Sequence, residues 1–83
     1  MIDMHTALSS AEQHLRQVLL GQCEELRLEE IELSDDDRYW FVTLSYHDTR
    51  ETIPRRRHYK TIKLDAGNGQ FRAMKDRSLN VVA

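Results

Sequence analysis

The sequence is poor in the residues that cross-link or break small domains: its 83 residues include one cysteine, one proline and three glycines. The lone Cys23 cannot form an internal disulfide. The opening stretch, Met1 to Thr6, has neither the basic region nor the apolar run of a secretory signal. No apolar run approaches the ~20 residues that span a bilayer. These absences predict a protein of a reducing, cytoplasmic compartment that does not enter the membrane.

Signatures of catalysis and of metal binding are also missing. Cys23 has no helix start beside it to activate its thiol, and no spacing joins it to a histidine. No two histidines stand at ligand spacing on one face; they are His5, His14, His47 and His58. The acidic residues between positions 29 and 37 lack the glycine and the terminal glutamate of a calcium-binding loop. We therefore expect no enzyme activity, no cofactor and no metal site.

A net charge of −2 hides a strong asymmetry between the two parts of the chain. Residues 1–37 carry ten acidic and two basic side chains, whereas residues 38–83 carry ten basic and four acidic ones. One interpretation is that acidic and basic strands lie near one another in a sheet and neutralise each other. The other is that two surfaces of opposite charge form and at least one of them meets a charged partner. The small net charge itself disfavours general attraction to nucleic acid or anionic lipid.

The length predicts one domain that spans residues 1–83. At this size a single core supplies only about 3–5 kcal/mol of stability without disulfides, a metal or a partner. Self-association or binding to a larger protein is therefore expected.

The segment Arg38 to His47 combines more aromatic and β-branched residues than any other window and shows no helical period. We interpret it as a central strand over about residues 38–47. Its alternation places one wholly apolar set on one face: Trp40, Val42, Leu44 and Tyr46. The half-apolar set on the opposite face is Tyr39, Phe41, Thr43 and Ser45.

An N-terminal amphipathic helix is predicted over about residues 9–21. Ser9 and Glu12 have the spacing of a capping box, and Gly21 is a natural helix stop. The apolar stripe of this helix, which we expect to pack on the central strand, consists of Ala11, Leu15, Val18 and Leu19.

Three more strands complete the prediction, over about residues 24–33, 58–65 and 70–76. A one-residue slip in the alternation at Glu29 and Glu30 indicates a β-bulge in the first of them. Residues 34–37 predict a turn, and the charged stretch 48–57, which holds the only proline, predicts a long hairpin loop. The last turn, Asp65 to Gly69, needs a positive φ at Gly67 or Gly69. The fold class is therefore α+β, with one N-terminal helix packed on a four-stranded antiparallel meander.

A resemblance supports this arrangement. The N-terminal helix, the Tyr-Trp-Phe-Val-Thr-Leu strand and the hairpin from Tyr59 to Gln70 together resemble a PepSY-type domain, in which a Val-Asp-Ala-x-Thr-Gly-Glu hairpin is typical. The resemblance implies a curled, cystatin-like sheet and a binding or inhibitory role rather than chemistry. The chain departs from this pattern in its charged loop, Asp48 to Arg57, and in lacking the signal peptide that many PepSY domains have.

One helix can cover only one face of the sheet, which leaves the other face available to a partner. The residues predicted to bind that partner are Tyr39, Phe41, Arg55, Arg56, Arg57 and Tyr59. We expect a small non-catalytic module that binds itself or a larger protein through the uncovered sheet face or an edge strand. A competing arrangement folds the N-terminal residues or the loop 48–57 over that face and makes it core.

The alternative function is an accessory protein that binds nucleic acid through the arginine cluster at residues 55–57. Aromatic residues on one sheet face are typical of an RNA-recognition sheet. The glycines of that motif are absent, however, and only one helix is predicted instead of two. The acidic part of the chain would also repel a phosphate backbone.

Overall fold

A computed structural model of the chain describes residues 1–51 and 56–77. One helix, α1 (Met4–Val18), is followed by four strands: β1 (Cys23–Leu33), β2 (Tyr39–Asp48), β3 (Arg57–Asp65) and β4 (Phe71–Asp76). The strands form one antiparallel sheet in the order β1-β2-β3-β4, and α1 packs on one of its faces. The predicted α+β meander is confirmed.

The helix begins five residues earlier than the predicted capping box placed it. Asp3 is the N-cap, and its carboxylate accepts a hydrogen bond from the Thr6 amide at 2.8 Å. Ile2 is held in place because its amide donates to the Ala66 carbonyl oxygen at 2.8 Å. The predicted start at Ser9 is therefore wrong, because the tethered N-terminus lets Asp3 cap the helix first.

The helix also ends earlier than predicted. The Leu20 amide donates to the Gln17 carbonyl and the Gly21 amide donates to the Arg16 carbonyl, which is the hydrogen-bond pattern of a Schellman motif. Leu20 has a left-handed φ of 53° and Gly21 has a φ of 74°. The glycine thus lies one position beyond the C′ residue, and the last helical residue is Val18.

The buried face of α1 consists of Ala7, Ala11 and Leu15, which are fully buried. Leu19 continues this stripe at the same step of four residues and is half-buried. Val18 lies off the stripe and is 48% exposed, so its predicted place in the core is wrong. Two alanines in the stripe let the helix axis lie close to the sheet.

The strand side of the core matches the predicted apolar face. Its buried residues are Trp40, Val42, Leu44 and Tyr46 of β2, together with Ile62 and Leu64 of β3. The predicted bulge in β1 is also confirmed, because the pairing with β2 shifts register between Leu28 and Glu30. A second irregularity, which was not predicted, lies between Glu24 and Arg27 and includes Glu25 at a φ of 54°.

The turn between β3 and β4 brings Leu64 opposite Phe71, as its composition predicts. Gly69 has a φ of 78° and donates to the Asp65 carbonyl oxygen at 2.7 Å. Gly67 does not have a positive φ, so only one of the two candidate glycines needs that conformation. A Cβ at Gly69 would also lie 3.2 Å from Ile2 Cδ1, which adds a steric reason for glycine there.

The loop predicted over residues 48–57 is shorter than expected, because a strand occupies each of its end residues. β2 continues through Asp48, and residues 52–55, including Pro54, lie outside the described part of the chain. Among the described residues, no helix is long and apolar enough to cross a membrane. The molecule measures 42 × 34 × 18 Å. The short dimension corresponds to one helix about 10 Å across lying on one sheet, so within residues 1–51 and 56–77 only one face of the sheet is covered by helix.

Candidate functional site

The sheet face that points away from α1 is called the outer face here. Strand alternation and the β2–β3 register define its centre, which consists of Tyr39, Phe41, Thr43, Ser45 and His47 of β2 with Arg57, Tyr59, Thr61 and Lys63 of β3. No helix or strand of the described residues lies over this face. The N-terminal residues lie on the other side, because the Ile2 carbonyl accepts a hydrogen bond from Trp40 on the helix-facing side of β2.

One end of the outer face is aromatic. Tyr39 and Phe41 are both half-buried there. The Lys63 ammonium lies 4.1 Å from the centroid of the Tyr39 ring and 6.0 Å from that of Phe41. The Arg38 guanidinium lies 5.8 Å from the Tyr39 centroid. Cations at these distances are attracted to the ring faces, which orders the two aromatic side chains.

Tyr59 lies on the same face but does not join this aromatic end. Its placement follows from the register that buries Ile62 and Leu64, as predicted. It stands opposite Ser45, whereas Lys63 stands opposite Phe41. Four residues along a strand separate the two positions by about 13 Å. The predicted aromatic patch is therefore divided into two parts.

Polar side chains cover the middle of the outer face. The Thr43 and Thr61 hydroxyl oxygens are 2.9 Å apart. Arg77 Nη1 donates to Thr43 Oγ1 and to Glu30 Oε1, each at 2.9 Å, and so reaches from the end of β4 to a side chain of β1. Thr43 is only 1% exposed as a result. The hydrogen bond from Arg77 lowers the pKa of Glu30 below its usual range.

The arginine cluster does not form a single basic patch. Arg57 Nε donates to Ser45 Oγ at 2.8 Å, and its Nη2 donates to the Glu25 carbonyl oxygen. Arg56 is exposed, and its Nη2 lies 3.6 Å from a Glu51 carboxylate oxygen. Arg55 lies outside the described residues. The Arg57 guanidinium is thus occupied by acceptors of its own chain.

The charge asymmetry of the sequence is neutralised in part by cross-strand pairs. Glu30 pairs with Arg77. A Glu25 carboxylate oxygen lies 2.7 Å from the buried Nδ1 of His47, but their geometry is not that of a hydrogen bond. Glu32 on β1 and Lys75 on β4 form no hydrogen bond or ion pair with another described residue. The outer face is therefore acidic along β1 and basic along β4. Sequence reasoning missed Glu30 and Arg77, for which the charge asymmetry was the only signal.

Asp48 lies at the end of β2, where it holds the start of the following loop. Its carboxylate accepts hydrogen bonds from Arg50 Nε at 3.0 Å, from Arg50 Nη2 at 2.8 Å and from the Arg50 amide at 2.8 Å. These hydrogen bonds lower the pKa of Asp48 from 3.8 to about 2. A carboxyl group with a lowered pKa adds stability above its ordinary pKa and loses that contribution as the pH falls.

We therefore expect Asp48→Asn to reduce the acid sensitivity of the fold. The wild-type protein should lose stability as the pH falls from about 4 to the value of about 2 at which Asp48 protonates, and the variant should lose less over the same range. Urea midpoints measured at pH 7 and at steps between pH 5 and pH 2 test this. Asp35→Asn, in the exposed turn before β2, controls for the loss of one negative charge. Equal pH slopes for the wild type and Asp48→Asn would contradict the prediction.

No group of three histidine, cysteine or acidic side chains comes together as a metal site within residues 1–51 and 56–77. Comparison with models of known protein families, with curated proteins and with solved structures finds no match. The resemblance to PepSY-type domains therefore stays a prediction. The outer face is therefore the candidate functional site.

Proposed function

We propose that this chain is a small protein-binding module and that its outer face is the docking surface. The observation that carries the proposal is the pair of half-exposed aromatic rings, Tyr39 and Phe41, on a sheet face that no described element covers. Aromatic side chains are enriched where proteins bind one another. Lys63 orders both rings before binding, which lowers the entropy lost when a partner docks.

The edge strands support docking less well than the outer face. β1 has two register irregularities, and Glu25 within it adopts a left-handed conformation. Bulges of this kind protect an edge from pairing with another strand. β4 offers only the six residues Phe71–Asp76. The outer face is therefore the better candidate of the two surfaces that the sequence suggests.

The nucleic-acid alternative gains no support from the arginine cluster. The Arg57 guanidinium donates hydrogen bonds to Ser45 and to the Glu25 carbonyl oxygen. The acidic side chains of β1 share the outer face with the aromatic residues and would repel phosphates. A gel-shift experiment with single-stranded and double-stranded oligonucleotides tests the alternative, because it requires binding that weakens steeply with salt.

Phe41→Ser is expected to weaken partner binding about 30-fold while the domain stays folded. The ring is half-buried on a face that none of the described helices or strands covers, so its loss should cost the fold only about 1 kcal/mol, the range of strand propensities. A central aromatic residue of an interface contributes about 2 kcal/mol or more, which corresponds to about a 30-fold loss of affinity. Affinity capture from the host's own extract and light scattering of the purified protein measure the effect, with thermal unfolding in parallel.

The matched control is Phe71→Ser. Phe71 is also exposed, at 36%, but it lies on the helix side of the sheet and stacks on His14 with 3.7 Å between ring centroids. Proteins retained by the wild type and by Phe71→Ser but lost by Phe41→Ser would support the outer face. A large fall in the melting temperature of Phe41→Ser with unchanged binding would show that Phe41 is core and would overturn the proposal.

A further inference from the structure

The proposed function does not specify the partner, and the charges of the outer face identify one. Building on that function, we propose that the partner is a second copy of this chain, docked outer face to outer face about a two-fold axis that runs parallel to the strands. The product is a symmetric dimer with four layers, in which two sheets lie inside and two helices lie outside.

Acidic and basic side chains lie on opposite sides of the outer face. The β1 side carries Glu30 and Glu32, which stand opposite Thr43 and Phe41 of β2. The β3–β4 side carries the basic side chains Lys63 and Lys75, whereas the Arg77 guanidinium extends from the end of β4 to Glu30 and Thr43. Between the two edges, Thr43 and Thr61 share a hydrogen bond. The face therefore has an acidic long edge and a basic long edge that run parallel to the strands.

A two-fold axis restricts how two such faces can meet. In a two-fold dimer the same patch of both copies meets itself, so the patch must be complementary to its own rotated image. An axis parallel to the strands exchanges the two long edges and lays β1 of one copy over β4 of the other, so that acid meets base. An axis across the strands keeps the edges in place and lays acid over acid. The charges thus select the parallel axis.

The same axis determines which side chains of the two copies meet. Rotation about an axis parallel to the strands keeps each cross-strand row at its own level along the sheet. One row consists of Glu32, Phe41, Lys63 and Ala73 in the order of the strands. Glu32 of one copy then lies over Ala73 of the other, in a depression lined by Phe41, Thr61, Lys63, Ala73 and Lys75. Phe41 of one copy lies over Lys63 of the other, where the cation can contact its ring.

Ala73 provides the space that this contact needs. Its small side chain leaves the depression open between two lysines, Lys63 and Lys75. A glutamate that enters there lies between the side chains of two lysines. Within residues 1–51 and 56–77, Glu32 and Lys75 form no hydrogen bond or ion pair inside one copy, and Glu32 has only a longer-range electrostatic interaction with Arg77. Both side chains can therefore pair with a second copy.

The size of the face is sufficient for a dimer of modest affinity. Four strands about 4.8 Å apart and about nine residues long at 3.3 Å each make a flat area of roughly 600 Å², and side-chain relief adds to it. Stable interfaces bury about 800 Å² on each partner. The radius of gyration is 13.1 Å, against about 12 Å expected for this length, as for a flat molecule. Because charged pairs line both edges, the association should weaken as salt is raised.

The test uses two single charge reversals, Glu32→Lys and Lys75→Glu. Each variant alone should bring like charges together twice in the dimer and weaken dimerisation at least tenfold. An equimolar mixture of the two variants should form a heterodimer, because the new lysine at position 32 then faces the new glutamate at position 75, and the native Glu32 and Lys75 face each other. Sedimentation velocity measures the association, and native mass spectrometry identifies the heterodimer by mass.

Controls separate this outcome from unfolding and from a general charge effect. Glu12→Lys and Arg16→Glu change the same charges on α1, on the opposite side of the molecule, and should leave dimerisation unchanged. If a reversal variant fails to fold by circular dichroism, Glu32→Gln and Lys75→Gln replace it, and these should reduce the salt dependence of dimerisation.

Two results would overturn the inference: a wild-type protein that stays monomeric up to millimolar concentration, or single variants that dissociate and do not associate when mixed. A monomer that still captures another protein through Phe41 would leave the proposed function standing. A dimer that is insensitive both to the charge reversals and to Phe41→Ser would overturn the outer face itself. The failure of the inference and the failure of the proposed function are therefore distinguishable.

Discussion

Replacing Trp40 with alanine is expected to lower the free energy of unfolding by about 3–5 kcal/mol. Trp40 is the largest side chain of the core and is only 8% exposed. Its indole Nε1 donates to the Ile2 carbonyl oxygen at 3.2 Å, and the Ile2 amide donates to Ala66 at the β3–β4 turn. The indole therefore joins the N-terminus to β2, next to the point where the N-terminus meets that turn. Its loss should open a cavity and release the residues that position the start of α1.

Trp40→Phe separates these two effects. Phenylalanine keeps an aromatic ring in the core but cannot donate to Ile2, so it should cost less than alanine. Urea unfolding followed by circular dichroism measures both variants, and hydrogen exchange of the Ile2 amide reports the N-terminal contact. If Trp40→Ala unfolds at the same urea concentration as the wild type, the indole does not contribute to the core.

Leu15→Ala is expected to destabilise the fold by about 2–5 kcal/mol, whereas Val18→Ala should change it little. Leu15 is fully buried in the core, and Val18 is 48% exposed one turn further along α1. The same helix thus provides a matched pair of aliphatic truncations that differ mainly in burial. The measurement is again the urea midpoint, with the slope of the transition as a check that the unfolded state is unchanged.

The comparison between the two variants tests the orientation of α1. Equal losses for Leu15→Ala and Val18→Ala would mean that both residues face the sheet and that the helix is rotated from its position here. A domain of this length has a total stability of about 4–12 kcal/mol, so either large truncation removes a substantial fraction of it. Measurements at low temperature keep Leu15→Ala and Trp40→Ala folded enough to compare.

The strands could be predicted from sequence to within about a residue because alternation and turn chemistry act over short distances. The apolar set on β2 and the bulge near Glu29 follow from a period of two and from a slip in that period. The start of α1 could not be predicted in the same way. Asp3 and Ser9 are both good N-cap residues, and the choice between them depends on Ile2, which bonds to a residue more than sixty positions away.

For the candidate site too, sequence predicted which residues share a face but not which of them contact one another. Alternation alone placed Tyr39 and Phe41 on the face away from the helix, and the register of β3 added Tyr59. Sequence could not show that Tyr59 stands apart from the other two rings. Nor could it show that Arg57 bonds within its own chain, because Ser45 and Glu25 reach it only across paired strands.

The sequence by itself determined the four strands, the presence of one N-terminal helix, the meander order and the separation of acidic from basic residues along the chain. These properties depend on neighbours in sequence, where local sterics and hydrogen bonding decide the outcome. Only the tertiary structure decided which charges meet. Glu30 and Arg77 are 47 positions apart and pair across the outer face. Glu32 and Lys75 lie on its opposite edges and form no ion pair with any residue that the structure describes. The reason is strand register, because a shift of one residue would turn each of these side chains to the other face of the sheet.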